Sequence, residues 1–193
     1  MLPKSFYIRD PAKVAKELLG KLLIRKLKSK ILTGKIVETE AYYGKNDPAS
    51  RAFTTPKMAS QMWNEGGKTF VYIVHNNWLL NIVTGKKGIP SAVLIRAIEP
   101  LDNHELLKKH RNGKDGFLLT NGPGKLTQAL RITKAEHDIS VYSKNSNLVI
   151  ADPNNFNKSN AFIINSSHRI GVSKDLKRKL RFYIKNNKWV SRK

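Results

Sequence analysis

The chain of 193 residues carries 36 Lys and Arg against 14 Asp and Glu, a formal net charge of +22. That length fits one domain with a real hydrophobic core, and a hydrophobic fraction of 40% excludes wholesale disorder. With no Cys, disulfide frameworks, thiolate nucleophiles and Cys-ligated zinc or iron–sulfur sites are all excluded.

In chain order, Asp10, Pro11 and the run up to Leu19 predict a helix that stops at Gly20. Asp10 can cap free N–H groups, Pro11 suits the first turn, and Gly20 suits a left-handed stop. Strand-like stretches rich in Val, Ile and aromatics follow at Lys21–Lys26, Gly34–Tyr43, Thr69–His75, Trp78–Thr84 and Ala92–Glu99. Asn76 and Asn77, between two of these, predict a hairpin tip. Leu101–His110 reads as helical, and Gly124–Leu130 opens a helix after a Gly-Pro-Gly turn. No repeat and no Gly/Ser or Pro linker divides the chain, so residues 1–193 are expected to form a single domain. Strands mixed with segregated helices indicate an α+β fold.

The start of the chain reaches Asp10 before any apolar run, so no signal peptide is expected. No stretch approaches the ~20 apolar residues of a membrane span, and a soluble intracellular protein is the expectation. The charge predicts a polyanionic partner. A compact chain of this size offers a face about 30 Å long, enough to cover duplex carrying roughly 18 phosphates at one charge per ~1.7 Å of axis. Nucleic acid outranks a membrane because no amphipathic basic helix stands out. Two acid-poor stretches, Lys21 to Lys35 and Lys174 to Lys193, look basic rather than structured and are expected to contribute to that surface.

In a chain this poor in acids, Glu38 and Glu40 inside an apolar strand are conspicuous. Alternation puts Ile36, Glu38, Glu40 and Tyr42 on one face. A carboxylate on a semi-apolar face has its pKa raised by desolvation, which suits acid–base chemistry, and an adjacent ring offers a stacking platform for a base. Solvated acids paired with Lys would explain the same pattern. Tyr72 in the Phe70–His75 stretch could oppose Tyr42 across a flat ligand, although a lone Tyr there is more often core. Arg96 inside the apolar run Ala92–Glu99 needs an anionic partner, either a carboxylate or a phosphate. The Gly122-Pro-Gly-Lys-Leu stretch lacks the full Walker A pattern, but its backbone N–H groups and Lys125 could meet a phosphate. The five histidines show no metal-ligand spacing, so no metal is expected.

The stretch Glu38-Thr-Glu-Ala-Tyr-Tyr-Gly-Lys-Asn-Asp-Pro-Ala-Ser50 resembles the active-site strand of the alkyladenine (3-methyladenine) DNA glycosylase family. Residues 15–21, Val71-Tyr72, residues 94–100, residues 122–130, and Arg169-Ile-Gly171 with the closing Arg181-Phe-Tyr183 and Trp189-Val-Ser191 agree in order, from residue 10 to 192. The resemblance implies a curved antiparallel sheet flanked by helices, with a protruding β-hairpin that enters the minor groove. It implies a monofunctional N-glycosylase, a hydrolase of the DNA-3-methyladenine glycosylase II type. Such an enzyme flips damaged purines of the 3-methyladenine, hypoxanthine and ethenoadenine class out of duplex DNA and cleaves their glycosidic bond. Glu40, not Glu38, falls on the base that activates water; Tyr42 and Tyr72 fall on the rings that sandwich the flipped base. Asn81 falls on a pocket asparagine that disfavours guanine's amino group, and Arg96 on an arginine bordering the site. Lys125 and Arg169 join the expected DNA contacts. The resemblance implies no cofactor, and a cytoplasmic, nucleoid-associated monomer of prokaryotic type is expected.

Two departures stand out. Arg51 stands where the family usually carries a base-contacting His. The hairpin stretch His75-Asn-Asn-Trp78 is one residue short, so the side chain filling the gap left by the flipped nucleotide is either His75 or Trp78. Two other classes compete. A catalytically silent binder of unstacked nucleic acid would use the charge and aromatics alone. A carbohydrate glycosidase using Glu38 and Glu40, about 7 Å apart along one strand, would leave +22 unexplained.

Overall fold

The computed structural model describes residues 1–153 and 162–192. Two short helices open the chain, α1 (Lys4–Tyr7) and α2 (Pro11–Leu18), followed by strands β1 (Leu22–Leu27) and β2 (Lys30–Tyr42). Next come α3 (Arg51–Thr54), β3 (Thr69–Val74), β4 (Asn77–Val83), β5 (Ala92–Pro100), α4 (His104–His110) and α5 (Pro123–Ala129). The last strands are β6 (Leu148–Ala151), β7 (Ile164–Ser167) and β8 (Arg181–Ile184).

α2 starts and stops where its sequence requires. The Asp10 carboxylate accepts from the N–H groups of Ala12 and Lys13 at 2.9 and 3.0 Å, which satisfies two free donors of the first turn. Gly20, at φ +82°, turns the chain into β1. The apolar stripe Val14, Ala15 and Leu18 is buried against the sheet.

The eight strands form one antiparallel sheet in the order β3-β4-β5-β2-β1-β6, with β8 paired to both β2 and β7. β2 is the spine. β5 covers one edge from Gly34 to Tyr42, while the other edge pairs with β1 over Lys30–Lys35 and with β8 over Glu38–Glu40. A strand that changes neighbours along its length curls the sheet into a half-barrel. The concave core packs α2 and α5 against Leu32, Ile36, Val37, Leu80, Ile95 and Ile98. Thr39 donates its hydroxyl to the Ala15 carbonyl at 2.8 Å, pinning the middle of β2 to α2.

The hairpin tip differs from the expected Asn76-Asn77. His75 and Asn76, at φ +45° and +60°, form the two-residue turn, and Asn77 already pairs with Val74. Two left-handed residues give the turn whose twist matches the flanking strands, so register fixes the tip one residue earlier. The helix expected from Leu101 starts at His104, after a left-handed Asn103 at φ +51°. The two basic stretches are structured. The first supplies β1 and the start of β2, with Arg25 buried and bonded to Glu136 at 2.7 Å. The second supplies β8 and a tail whose Ser191 reaches the interior. Among the described residues no helix is long and apolar enough to cross a membrane.

Candidate active site

The site is built on an irregularity between β2 and β5. Ile36 pairs with Ile98 and Glu38 with Ala97, so Val37 is an extra residue on β2. Thr39 then pairs with Ile95, so Arg96 is an extra residue on β5. Bulges re-aim side chains, and here the two offsets bring Arg96 between two carboxylates. Its Nε donates to Glu38 Oε1 at 3.1 Å, and its Nη1 lies 3.2 Å from Glu40 Oε2. Of the expected face, Glu38, Glu40 and Tyr42 stay together, but Ile36 belongs to the hydrophobic core because the bulge interrupts the alternation.

Both carboxylates are 0% exposed, and they differ in how full they are. Glu38 accepts from Arg96, from Arg181 Nε at 2.7 Å, and from the Ser191 N–H and hydroxyl at 2.7 and 2.8 Å. Three of these donors converge on Oε1 and the Ser191 N–H takes Oε2, so Glu38 has four donors in all. Glu40 Oε2 takes the Tyr42 hydroxyl at 2.8 Å and Arg96, while Oε1 takes the Ile170 N–H at 2.8 Å. One acceptor site on Oε1 has no donor among the described residues. Burial pushes the Glu40 carboxyl above its ordinary value, and the nearby Glu38 adds to this; Arg96, the Ile170 N–H and the Tyr42 hydroxyl oppose it. The Tyr42 hydroxyl is itself pushed well up by burial and by Glu40, so it stays a neutral donor.

Beside these residues opens a cleft of about 680 Å³ lined by Tyr42, Tyr72, Arg51, Arg96, His75 and Lys125, among others. The Arg169 guanidinium lies 4.5 Å from the Tyr42 ring centroid, and Phe70 stacks on Tyr72 at 4.9 Å. Each ring is thus braced from inside the protein. Arg51 lies 5.3 Å from the Tyr72 ring centroid. Asn81 is buried in a small recess shared with Tyr42, Arg51 and Tyr72, and donates its amide to the Phe70 carbonyl at 3.2 Å. Lys125 lines the cleft with Nζ on Asn121 Oδ1 at 2.8 Å; burial and the neighbouring Arg111 lower its amine. A larger groove, about 1210 Å³, surrounds Tyr43 and Arg178 and contains none of the expected site residues. Among the described residues no group of three or more His, Asp or Glu could hold a metal ion.

Two expected DNA contacts sit elsewhere. Trp78 is half-buried against the core, its carbonyl accepts the Thr127 hydroxyl at 2.7 Å, and it lines a different pocket. Its register partner is Ile73, so it occupies the hairpin face opposite Tyr72, away from the cleft. Arg169 has a fully buried side chain, forked onto Asp47 through two 2.7 Å bonds and bonded to Asp175 and the Ala41 carbonyl. Two carboxylates already neutralise it, which leaves nothing to offer a phosphate. Instead it ties the segment after β2 to the segment carrying Ile170 and braces Tyr42.

Sequence reading assigns no role to Ile170, Asp47, Asp175, Arg181 or Ser191, although all but Asp175 lie in the stretches that carry the family resemblance. The Ile170 contribution is a backbone N–H and leaves no side-chain signal. Asp47 and Asp175 were detectable as two of only 14 acids, each standing in a basic or polar stretch.

A family model described as methylpurine-DNA glycosylase (MPG) matches residues 5–188. A Clostridium novyi (strain NT) protein is 42% identical over 206 residues, covering 100% of this chain and 98% of its own length. One from Aeropyrum pernix is 38% identical over 193 residues, covering 100% and 93%. One from Francisella tularensis subsp. tularensis (strain WY96-3418) is 40% identical over 181 residues, covering 93% and 92%. All three are named "Putative 3-methyladenine DNA glycosylase". Neither the family description nor these names carries the type II label expected from the sequence, and that label is dropped.

Proposed function

This chain belongs to the methylpurine-DNA glycosylase family, and on that premise we propose that it removes damaged purines from duplex DNA and so initiates base excision repair. In this reading the lesion is an alkylated or deaminated purine of the 3-methyladenine, hypoxanthine and ethenoadenine class. Its nucleotide leaves the stack and enters the cleft, with the base between Tyr42 and Tyr72. Leaving the stack costs a few kcal/mol, least for a poorly paired base, which favours damage over normal pairs.

The observation that carries this reading is Glu40, with an acceptor site on Oε1 that no described donor takes. Its three partners, Tyr42, Arg96 and Ile170, all line a cleft walled by two braced tyrosines and several cations. Glu40 Oε1, oriented by the Ile170 N–H, accepts a proton from a water held at that open site. The water oxygen bonds to C1′ of the sugar as the bond from C1′ to the purine nitrogen breaks. The electron pair leaves with the base, and the product is an abasic sugar. The anionic carboxylate also stabilises the oxocarbenium-like centre that develops at C1′. Arg96 holds Glu40 in place and opposes its protonation. His75, exposed at the hairpin tip, fills the gap in the stack, and Lys125 meets the backbone.

Duplexes carrying hypoxanthine, ethenoadenine or 3-methyladenine, incubated with the protein and then cleaved in alkali, test this. Strand scission at the lesion is expected with the wild type and not with Glu40→Gln. Binding of lesion duplex without release of any of the three bases would overturn it in favour of a silent binder.

A further inference from the structure

The cations of the cleft are not equivalent. Arg96 is neutralised by Glu38 and Glu40. Lys125 donates to Asn121, and Arg111 donates to Gln128 and the Leu118 carbonyl. Arg51 has no carboxylate within 4.0 Å among the described residues, and its guanidinium lies 5.3 Å from the Tyr72 ring centroid. Burial raises the Tyr72 hydroxyl, and Arg51, a donor beside it, opposes that rise. Its position is built rather than accidental. It is the first residue of α3, whose Ser50 cap accepts the Ala52 N–H at 3.2 Å. Ala52 is buried in a satellite cluster with Ala59, Met62, Phe70, Val83 and Ala92, against which Tyr72 also packs. Arg51 therefore shares its packing with one of the two rings, and it lines both the cleft and the recess of Asn81.

We propose that Arg51 sorts lesions by charge, favouring neutral purines that present a carbonyl oxygen or bare ring nitrogen over cationic N-alkylated purines. The inference rests on the functional reading above and names the substrate class within it. A guanidinium is a permanent cation with donors and no acceptor, so it rewards an acceptor edge and repels a ring that already carries positive charge. Its effect is two-sided. When the bond from C1′ to a neutral purine breaks, the electron pair puts negative charge on the departing ring, and a fixed cation beside that ring stabilises the transition state. Solvent later supplies the proton that neutralises the freed base. A cationic purine departs neutral, gains nothing from Arg51 in that way, and meets only its repulsion on binding.

The test compares hypoxanthine, neutral with a carbonyl acceptor, and 7-methylguanine, cationic, in otherwise identical duplexes. Single-turnover release is measured for wild type, Arg51→Gln and Arg51→Lys, and duplex affinity for the same changes in a Glu40→Gln background. Charged hydrogen bonds are worth about tenfold or more, so Arg51→Gln should slow hypoxanthine release at least about tenfold. It should also tighten binding of 7-methylguanine duplex, and Arg51→Lys should recover part of the hypoxanthine rate. A release ratio of the two bases that stays within about twofold in both variants overturns the proposal, as does an equal loss for both, which marks a structural role. Wild type that releases neither of these bases overturns this inference, and one that also fails to release ethenoadenine and 3-methyladenine overturns the functional reading itself.

Discussion

Glu38 and Glu40 sit two residues apart on β2, are equally buried and share one arginine. Around Glu38 the chain converges from three directions, with Arg96 from β5, Arg181 from β8 and Ser191 from the tail. Around Glu40 it supplies one donor fewer, one of them a backbone N–H and another the phenol of a cleft residue. The same side chain has four donors in one place and three in the other, and only around Glu40 do all of them, Tyr42, Arg96 and Ile170, line the cleft. In the proposed reading, what separates structure from chemistry is which partners face the cleft: Tyr42, Arg96 and Ile170 line it, Arg181 and Ser191 do not. Residue type, burial and the shared cation do not distinguish them.

Removing each charge in turn should break that pairing most visibly. Glu40→Gln should lower single-turnover base release by the ~10²–10⁴ typical of a general base while the fold persists. Glu38→Gln should act first on stability, because Arg96 and Arg181 lose the anion that holds them; breaking a buried pair costs about 3–5 kcal/mol. Urea unfolding midpoints and release rates measured on both variants separate the two roles. A Glu38→Gln protein of wild-type stability that loses the rate would reverse the assignment.

Arg169 holds the Glu40 side of the comparison together. Arg169→Ala leaves Asp47 buried without its fork and unties the Ile170 segment, so a stability loss of about 3 kcal/mol is expected, again by urea unfolding. Arg169→Lys keeps the charge but cannot supply the fork, and should fall between the two. Its release rate should drop beyond what unfolding explains, because the Ile170 N–H no longer orients Glu40.

The acid side of the pH–rate profile sharpens the contrast further. Glu40 must be deprotonated to take a proton, and burial raises its pKa, so activity should fall with decreasing pH at a higher value than a solvated glutamate would give. Arg96 opposes that shift, and Arg96→Gln should move the acid limb higher still, read from single-turnover rates across pH 4–8. An unmoved limb would mean that another group controls it.

Much of this arrangement is legible in the sequence because it follows short-range rules. The cap at Asp10, the stop at Gly20 and the two acids and ring of β2 need only local propensity and alternation. The bulge at Val37 and Arg96 does not, since it is a relation between two strands about 60 residues apart in the chain. β6, β7 and β8 escaped notice because four residues are too few to show a period. Arg169 was misjudged for a different reason. In a chain at +22 one more arginine near the end looks like a phosphate contact until Asp47 and Asp175 are placed beside it. The basic tail also has a structural part that its charge does not announce, because Ser191 and the Arg192 carbonyl take part in the Glu38 and Arg181 network. A truncation before Ser191 would therefore report on stability as much as on DNA contact.

The smallest expected effect concerns the hairpin, which touches neither carboxylate. With the tip fixed at His75-Asn76 and Trp78 committed to the opposite face, His75 is the exposed ring nearest the cleft, and a small one for an opened stack. In a Glu40→Gln background, His75→Ala should weaken lesion-duplex binding a few-fold, and His75→Tyr should strengthen it by a similar factor, because stacking on a base is worth about 1–3 kcal/mol and imidazole realises only part of it. His75 is at φ +45°, a conformation that costs a non-glycine residue about 1 kcal/mol or more, so the same variants need a thermal melt as control. His75→Ala and His75→Tyr carry the same strain and should melt together. A pair that melts together and binds alike, while Trp78→Ala binds worse, would return the wedge to Trp78 despite its packing. That outcome would require the hairpin to rotate its two faces on meeting DNA, with Thr127 releasing the Trp78 carbonyl.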